Sequence, residues 1–140
     1  RRMYGRRRYS YLEDTGERGR QQRRLISAGW AVGQNGTILR YEPSGVYGDT
    51  GTWRSQDSRT TSDLFAIFFT LGCQRGWAVG DMGTILRTDD GGETWMTQRS
   101  GTKDVLYRVH FEDDFTGWIT GSESTVLRTT NGGHDWYSWS

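Results

Sequence analysis

The residues with the clearest capacity for chemistry are three arginines, Arg40, Arg87 and Arg128, which end three closely matched segments of the sequence. A guanidinium group binds carboxylates through charge-assisted hydrogen bonds, so arginines at matched positions can form a stripe that holds acidic groups of a partner. Recurrence at one position of a repeat is also typical of packing, and is less typical of catalysis. We therefore predict that the three arginines are binding residues, with packing between repeats as the alternative.

The other ionisable residues form no catalytic or metal-binding pattern. His110 and His134 have no Cys or His at the spacing of a metal site. Residues 89–92 (Asp-Asp-Gly-Gly) superficially resemble a calcium loop, but their spacing to Trp95 fits a structural turn better. The acidic run Glu112–Asp114 is most simply a solvated loop. We predict no catalytic residue, no metal site and no cofactor.

The matched segments are copies of an internal repeat, which decides the fold prediction. Residues 29–40 read GWAVGQNGTILR, residues 76–87 read GWAVGDMGTILR and residues 117–128 read GWITGSESTVLR. The copies begin 47 and 41 residues apart. Three aligned matches of this length are not expected by chance, so the chain contains three units of one architecture.

The second and third copies are each followed by an eight-residue box that ends in tryptophan, TDDGGETW and TTNGGHDW. In such a box a short polar side chain bonds the backbone of its own turn, and glycines take conformations closed to other residues. The tryptophan then anchors the hairpin between sheets. The first copy has a looser box, GDTGTW, which ends at Trp53. The predicted structural residues are Thr88, Asp90, Gly92 and Trp95 in one box, and Thr129, Asn131, Gly133 and Trp136 in the other.

Composition and patterning indicate an all-β protein. Aromatic residues make up 14% of the 140 residues, and there are 20 glycines but only 1 proline. Each unit contains an apolar run such as Leu64–Phe69, then GWAVG and TILRT, then a last strand from the box tryptophan. Four short strands in 41–47 residues fit one blade of a β-propeller. We predict a β-propeller of about three four-stranded antiparallel blades, at residues 25–56, 57–99 and 100–140.

Three blades do not close a ring, because propellers use about four to eight blades. An open end exposes a strand edge and the apolar face of a blade. We expect either that the chain is a fragment of a longer protein with further blades, or that two chains pair into one ring as a homo-oligomer. The first expectation is favoured because Ser140 follows soon after the last box.

The sequence G-W-A-V-G-x-x-G-T-I-L-R-T followed by D-G-G-x-T-W, within residues 76–95, resembles the photosystem II stability/assembly factor family of Asp-box (BNR-type) β-propellers. The resemblance covers about residues 25–140 and is only partial between Trp30 and Trp53. It implies a non-enzymatic protein with a protein partner, which in photosynthetic members is a membrane-protein assembly intermediate. It also implies export to a periplasm, a thylakoid lumen or a cell surface.

The first 24 residues differ in charge from the rest. They hold nine arginines against three acidic residues, whereas the remainder holds 9 basic and 14 acidic residues. One interpretation is a solvated, disordered tail. A second is an arm that binds nucleic acid, anionic lipid or an acidic partner. A third is a displaced reading frame, because Gly5–Asp14 read one nucleotide on can give G-E-D-G-T-V-I-L-R-T, which is similar to the blade motif.

The leading function hypothesis is a non-catalytic β-propeller that binds a protein, with no nucleic acid expected on the blades. The alternative is a fragment of an Asp-box carbohydrate-binding or sialidase-like glycosidase protein. Such enzymes need an arginine cluster, a general acid/base and a Tyr–Glu nucleophile pair, and no such set emerges from the sequence. A third hypothesis is a purely structural segment of a large surface protein.

Overall fold

The computed structural model describes the backbone of residues 3–14, 23–44 and 51–139, and the side chains of residues 29–44 and 51–139. Within these ranges the regular elements are twelve β-strands and two short 3-10 turns. The strands form three four-stranded antiparallel sheets, which confirms the predicted all-β fold of about three blades. No helix of the described residues is long and apolar enough to cross a membrane.

The three sheets, named blades 1 to 3, each contain four consecutive strands. Blade 1 contains β1 (Met3–Asp14), β2 (Arg23–Gly33), β3 (Ile38–Glu42) and β4 (Thr52–Gln56). Blade 2 contains β5 (Leu64–Phe69), β6 (Gly76–Gly80), β7 (Ile85–Thr88) and β8 (Met96–Gln98). Blade 3 contains β9 (Leu106–Phe111), β10 (Gly117–Gly121), β11 (Val126–Thr129) and β12 (Tyr137–Ser138).

The repeat of the sequence is also a repeat of strand register. In each blade the tryptophan of the second strand lies opposite the arginine of the third strand, and the pairs are Trp30–Arg40, Trp77–Arg87 and Trp118–Arg128. A shift of one residue would turn these side chains to the other face of the sheet. The common register therefore places equivalent residues of all three blades on equivalent faces.

The blades stack face to face through two apolar cores. One core joins Trp30, Val32 and Ile38 of blade 1 to one face of blade 2. The other joins the opposite face of blade 2, around Trp77, to blade 3. Strand β5 contacts both β1 and β9, so the first strands of successive blades lie side by side. This is the arrangement of inner strands in a propeller, and it explains why Leu64–Phe69 is a nearly continuous apolar run.

Each core contains an equivalent stacked pair of a tryptophan and a phenylalanine from neighbouring blades. Trp30 of blade 1 stacks on Phe69 of blade 2 with ring centroids 3.7 Å apart. Trp77 of blade 2 stacks on Phe111 of blade 3 at 4.0 Å. Stacked aromatic pairs contribute about 0.5–1.5 kcal/mol beyond the burial of their area. The repeated tryptophan is therefore the side chain by which each of these blades holds the next.

Tight turns join the second and third strands, and they force residues into the left-handed region of backbone conformation. In blade 2 the turn Asp81–Gly83 has positive φ at Met82 (57°) and at Gly83 (66°). In blade 3 the same positions are Glu123 and Ser124, with φ of 52° and 61°. A side chain in this region costs roughly 1–2 kcal/mol, so blade 3 carries backbone strain that Gly83 relieves in blade 2.

The backbone of the Arg-rich segment predicted at residues 1–24 forms part of blade 1. It contains β1, and β2 begins at Arg23. The two strands pair from Met3 opposite Gly33 to Asp14 opposite Arg23, with a register shift between Tyr4 and Arg6. The side chains of these arginines lie outside the described residues. The three interpretations of the segment, its boundary at residue 24 and the predicted blade boundaries stay predictions.

Candidate functional site

The three predicted arginines occupy one repeated position, over the tryptophan of their own blade. The guanidinium carbon of Arg40 lies 5.7 Å from the ring centroid of Trp30, and that of Arg87 lies 5.9 Å from Trp77. A cation at this distance is attracted by the negative face of the ring. The position is therefore built by the strand register itself, and what differs between blades is what each guanidinium contacts next.

Arg40 of blade 1 reaches the box of blade 2. Its Nη1 donates to the carbonyl oxygen of Gly91 at 3.3 Å and to Glu93 Oε1 at 3.3 Å. Arg54 donates to the same Glu93 oxygen at 2.9 Å. The side chain of Arg40 is 29% exposed. Arg40 thus bridges two blades while keeping part of its guanidinium accessible to solvent.

Arg87 of blade 2 makes the corresponding contact with blade 3, but it is buried. Its Nε donates to Asp89 Oδ1 at 3.1 Å, its Nη2 forms an ion pair with the same oxygen at 2.9 Å, and its Nη1 lies 2.8 Å from His134 Nδ1. Because a guanidinium group only donates hydrogen bonds, His134 Nδ1 is the acceptor in this contact. The Arg87 side chain is only 6% exposed. It connects two blades and offers little surface to a partner.

Arg128 of blade 3 lies beside two indole rings that contact each other edge to face. Its guanidinium carbon is 5.0 Å from the ring of Trp118 and 4.9 Å from that of Trp139. Its Nε is buried without a hydrogen-bond partner. Among the described residues no carboxylate pairs with Arg128. In blades 1 and 2 the corresponding arginine contacts the box of the following blade.

The box of blade 2 is a turn held by Thr88 and Asp90. Thr88 Oγ1 accepts hydrogen bonds from the amide of Gly92 at 2.9 Å and from that of Asp90 at 3.3 Å. Asp90 in turn accepts from the Thr94 amide at 2.9 Å and the Thr94 hydroxyl at 2.6 Å. Desolvation alone raises the pKa of Asp90, but the hydrogen bonds from Thr94 and Thr88 outweigh it and lower the pKa below its usual value.

The box of blade 3 forms the same turn with its charge moved. Thr129 Oγ1 accepts from the Gly133 amide at 2.9 Å, as Thr88 does for Gly92. Asn131 stands in the place of Asp90 and accepts from the Asp135 amide at 3.0 Å. Asn131 Nδ2 then donates to Asp135 Oδ2 at 2.9 Å. In blade 2 the residue four positions on, Thr94, donates to the Asp90 carboxylate, whereas in blade 3 Asn131 donates to the Asp135 carboxylate. The carboxylate has therefore moved from the third to the seventh position of the box.

The second glycine of each box allows the preceding blade to approach closely. Gly133 has φ of 79°, and a Cβ there would lie 2.4 Å from the indole nitrogen of Trp77. A Cβ on Gly92 would lie 2.4 Å from Gln56 Oε1. Any side chain would push the blades apart. The double glycine of the box is therefore needed for the junction between blades as well as for the turn.

A glutamine at the end of the fourth strand closes the junction between blades 2 and 3. Gln98 Nε2 donates to the carbonyl oxygen of Gly133 at 2.6 Å, and Gln98 Oε1 accepts from Trp136 Nε1 at 3.1 Å. Gln56 occupies the same place in blade 1, but its carboxamide and Trp95 Nε1 are buried without a hydrogen-bond partner. The box tryptophans are buried in both cases, at 1% and 8% exposure for Trp95 and Trp136.

A model of the family described as photosynthesis system II assembly factor YCF48 matches residues 47–140, more than half of the chain. The chain belongs to this family. The matched range holds blades 2 and 3 with both complete boxes, together with β4 of blade 1. The resemblance predicted from the motifs is thereby confirmed, and the glycosidase alternative is not favoured.

Eight chains among solved structures also match. A structure of YCF48 bound to D1 peptide aligns with a TM-score of 0.62 at 21% identity. The alignment covers 79% of this chain and 35% of that one, so the chain spans about a third of the length of that relative. At this identity the likeness establishes the β-propeller fold. No curated protein matches the sequence.

Within this member of the YCF48 family, the remaining residues singled out in the sequence have structural contacts. His110 packs its ring against Phe68 at 5.4 Å. Trp53 of the loose first box is 40% exposed and contacts Tyr41, which replaces the box threonine. Residues 45–50, which include the first three residues of that box, lie outside the described residues. No cluster of three potential metal ligands occurs in the part of the chain that the structure describes.

Sequence reasoning missed the glutamines and the residues that face the arginines. Gln56 and Gln98 each stand three positions after a box tryptophan, and this spacing was the available signal. Glu93 and His134 share one box position and both accept a bond from the preceding blade's arginine. Their residue types differ, so no pattern marked them.

Proposed function

We propose that the chain is a non-catalytic β-propeller scaffold that binds a segment of another protein during assembly of photosystem II. Membership of the YCF48 family over residues 47–140 carries this proposal. The YCF48 structure bound to a D1 peptide supports the type of partner, a protein segment of a membrane complex. The partner of this chain is then a D1-like polypeptide or another reaction-centre subunit.

The contacts of the ionisable residues support a scaffold over an enzyme. Asp90 is engaged with Thr94 in its own turn, and Asp113 accepts from the amides of Phe115 and Thr116. Arg87 is fixed between Asp89 and His134. Groups held in this way stabilise loops and blade junctions. Catalysis by general acid/base chemistry instead needs such a group within hydrogen-bond reach of a substrate.

The proposed contact surface is formed by Arg40, Arg87 and Arg128, which we call the arginine row. The three arginines have different roles in it. Arg40 and Arg128 contact acidic side chains or a terminal carboxylate of the partner, because Arg40 is partly exposed and the Arg128 guanidinium lies beside the exposed ring of Trp139. Arg87 holds the junction that keeps the row in register. The indoles of Trp118 and Trp139 beside Arg128 add apolar contact area, as aromatic anchors commonly do in interfaces.

The test is binding of fluorescent, overlapping peptides that cover the D1 protein sequence, measured by anisotropy. We expect at least one acidic peptide to bind, and Arg128→Glu to raise its Kd by at least about tenfold, as expected when one partner of a charge pair is reversed. Arg40→Gln is expected to weaken binding less. The matched control Arg99→Glu changes an exposed arginine outside the row and should alter Kd by less than about twofold.

Each result has a separate meaning. Equal loss of binding in Arg128→Glu and Arg99→Glu would exclude the arginine row as the contact surface. Absence of binding by every D1 peptide would exclude D1 as the partner. Circular dichroism of each variant must retain the β-sheet spectrum, because an unfolded variant does not test the surface. Arg87→Gln is expected to lower Tm, since Asp89 and His134 lose their donor.

A further inference from the structure

A pocket of about 140 Å³ opens at the junction of blades 2 and 3, where it is lined by residues of β5 and β9 and of the loops that follow them. Its floor is formed by Phe68 and Phe111, two core rings that are only 7% and 5% exposed and stack at 5.8 Å. Liquid water occupies about 30 Å³ per molecule, so the volume accommodates a few waters or one apolar side chain. The pocket therefore gives a side chain direct access to the aromatic core between two blades.

The rim of the pocket is negative. Glu112, Asp113 and Asp114 line one side, and none of the lining residues is basic. Hydrogen bonds from the amides of Thr116 and Phe115 to Asp113, at 2.6 and 2.8 Å, lower the pKa of its carboxyl. Arg75 Nη2 reaches Asp114 only at 3.9 Å, so the pair is long and exposed and is expected to neutralise little of the charge.

Two exposed apolar side chains belong to the loops that flank the pocket. Leu71, which lines it, is 93% exposed. Phe115, which follows the acidic run, is 65% exposed. A concave apolar site with a polar rim and projecting apolar side chains has the composition of a peptide anchor site. Residues 57–140, which contain blades 2 and 3, carry 7 basic and 12 acidic residues, so the charge of the two blades that form the pocket also favours a basic ligand.

We propose that this pocket binds an extended basic peptide segment, with one aromatic or aliphatic side chain on Phe68 and Phe111 and a neighbouring Lys or Arg against Glu112 and Asp114. The occupant is a partner polypeptide of charge opposite to that expected at the arginine row. The site goes beyond the proposed function, because it depends on neither Arg128 nor a D1 segment. It adds a second contact surface to the scaffold, at the loops between first and second strands.

The probes are the labelled peptide Gly-Lys-Phe-Lys-Gly and two labelled variants of it, Gly-Lys-Gly-Lys-Gly, which lacks the aromatic side chain, and Gly-Glu-Phe-Glu-Gly, which has the charges reversed. The whole 140-residue chain is titrated with each peptide. We expect the Lys-Phe-Lys peptide to bind more tightly than the other two by at least about fivefold, since only it supplies both the anchor and the charge. In NMR spectra its binding should shift the amides of residues 70–75 and 111–116.

The decisive variant is Glu112→Gln with Asp114→Asn, which removes two rim charges and retains the size of the side chains. It should raise the Kd of the Lys-Phe-Lys peptide at least about fivefold. The matched control Glu123→Gln removes an exposed acid in another loop and should leave Kd within about twofold. Asp113 is not altered, because its carboxylate holds the loop.

Three outcomes would overturn the proposal: no binding of the Lys-Phe-Lys peptide at millimolar concentration, equal loss of affinity in the rim variant and the control, or amide shifts confined to the arginine row. Leu71→Ala provides a second variant that leaves the loop charges intact. It should raise the Kd of the Lys-Phe-Lys peptide and leave the Kd of the Lys-Gly-Lys peptide unchanged. Failure of D1 peptides to bind would not affect these results, so the two proposals are tested separately.

Discussion

At the scale of the residue, the polar side chains of the boxes have their hydrogen bonds in place, and the boxes differ in where the charge lies. Asp90 is a carboxylate that accepts from a threonine, whereas Asn131 is an amide that donates to a carboxylate. Both arrangements hold a turn of the same shape. Only the first depends on ionisation of the residue at the third position of the box, and this difference predicts a response to pH.

Replacing Asp90 with Asn should reduce the loss of stability at acid pH. The pKa of Asp90 is lowered in the folded chain, so its contribution to stability is present above the ordinary value of about 3.9 and is lost as pH falls through the lower folded value. The thermal midpoint of the natural chain should therefore fall between about pH 4 and pH 2 more steeply than that of Asp90→Asn. Circular dichroism melts across this range measure the difference.

The control for this prediction is Glu123→Gln, which removes an exposed acid outside the boxes. Its pH profile should parallel that of the natural chain. If Asp90→Asn also runs parallel, the Thr94 bonds do not couple stability to ionisation. The magnitude is expected to be small, because Asp90 is exposed and solvent screens its charge.

Individual contacts were predicted unevenly from the sequence. The box residues stood out because a turn is a local structure, whose bonds connect residues four apart such as Thr88 and Gly92. The contacts of Arg40 and Arg87 connect residues 51 and 47 apart, in different blades. Their direction depends on how blades stack, and a repeat pattern alone does not specify it.

At the scale of the element, the strands follow from their side-chain patterns. Leu64–Phe69 forms β5 with the bounds of its apolar run, and GWAVG forms β6. The turns between second and third strands differ in backbone strain although their sequences are similar. Blade 2 has Gly83 at a positive φ, and blade 3 has Ser124 at the equivalent position with a similar φ.

Gly83→Ala should destabilise the chain strongly. A Cβ at this position would lie 1.9 Å from the carbonyl oxygen of Thr102, and φ is 66°. The clash and the left-handed conformation together should lower the free energy of unfolding by about 2 kcal/mol or more. Urea unfolding followed by tryptophan fluorescence gives this value.

Ser124→Gly is the matched change in blade 3. It removes a side chain from a left-handed position, where φ is 61°, so it should leave stability unchanged or raise it by up to about 1 kcal/mol. A loss of stability in Ser124→Gly similar to that in Gly83→Ala would show that the turn tolerates no change in either direction. The close approach of Thr102 would then not explain the requirement for glycine.

At the scale of the whole molecule, the blades form a row in which each contacts its neighbour through one core and one box. Such a row is close to one-dimensional, so each junction between neighbouring blades contributes its own part of the stability. Blade 2 shares its two faces between two cores. The junction between blades 2 and 3 has the Gln98 bonds, whereas at the junction between blades 1 and 2 Gln56 has no hydrogen-bond partner.

Gln98→Ala should therefore lower the local stability of blade 3 more than Gln56→Ala lowers that of blade 1. The first change leaves the indole N–H of Trp136 and the carbonyl of Gly133 without a partner, a cost of about 1–3 kcal/mol for buried groups. The second removes a carboxamide that makes no bond, so its cost is limited to lost packing. Hydrogen exchange locates the effect: protection should fall at Ile119 and Leu127 in Gln98→Ala, with less change at Ile38 in Gln56→Ala. Equal loss of protection in the two variants, or a loss spread evenly over all three blades, would mean that the chain unfolds as one unit and that the glutamine does not set the strength of the junction.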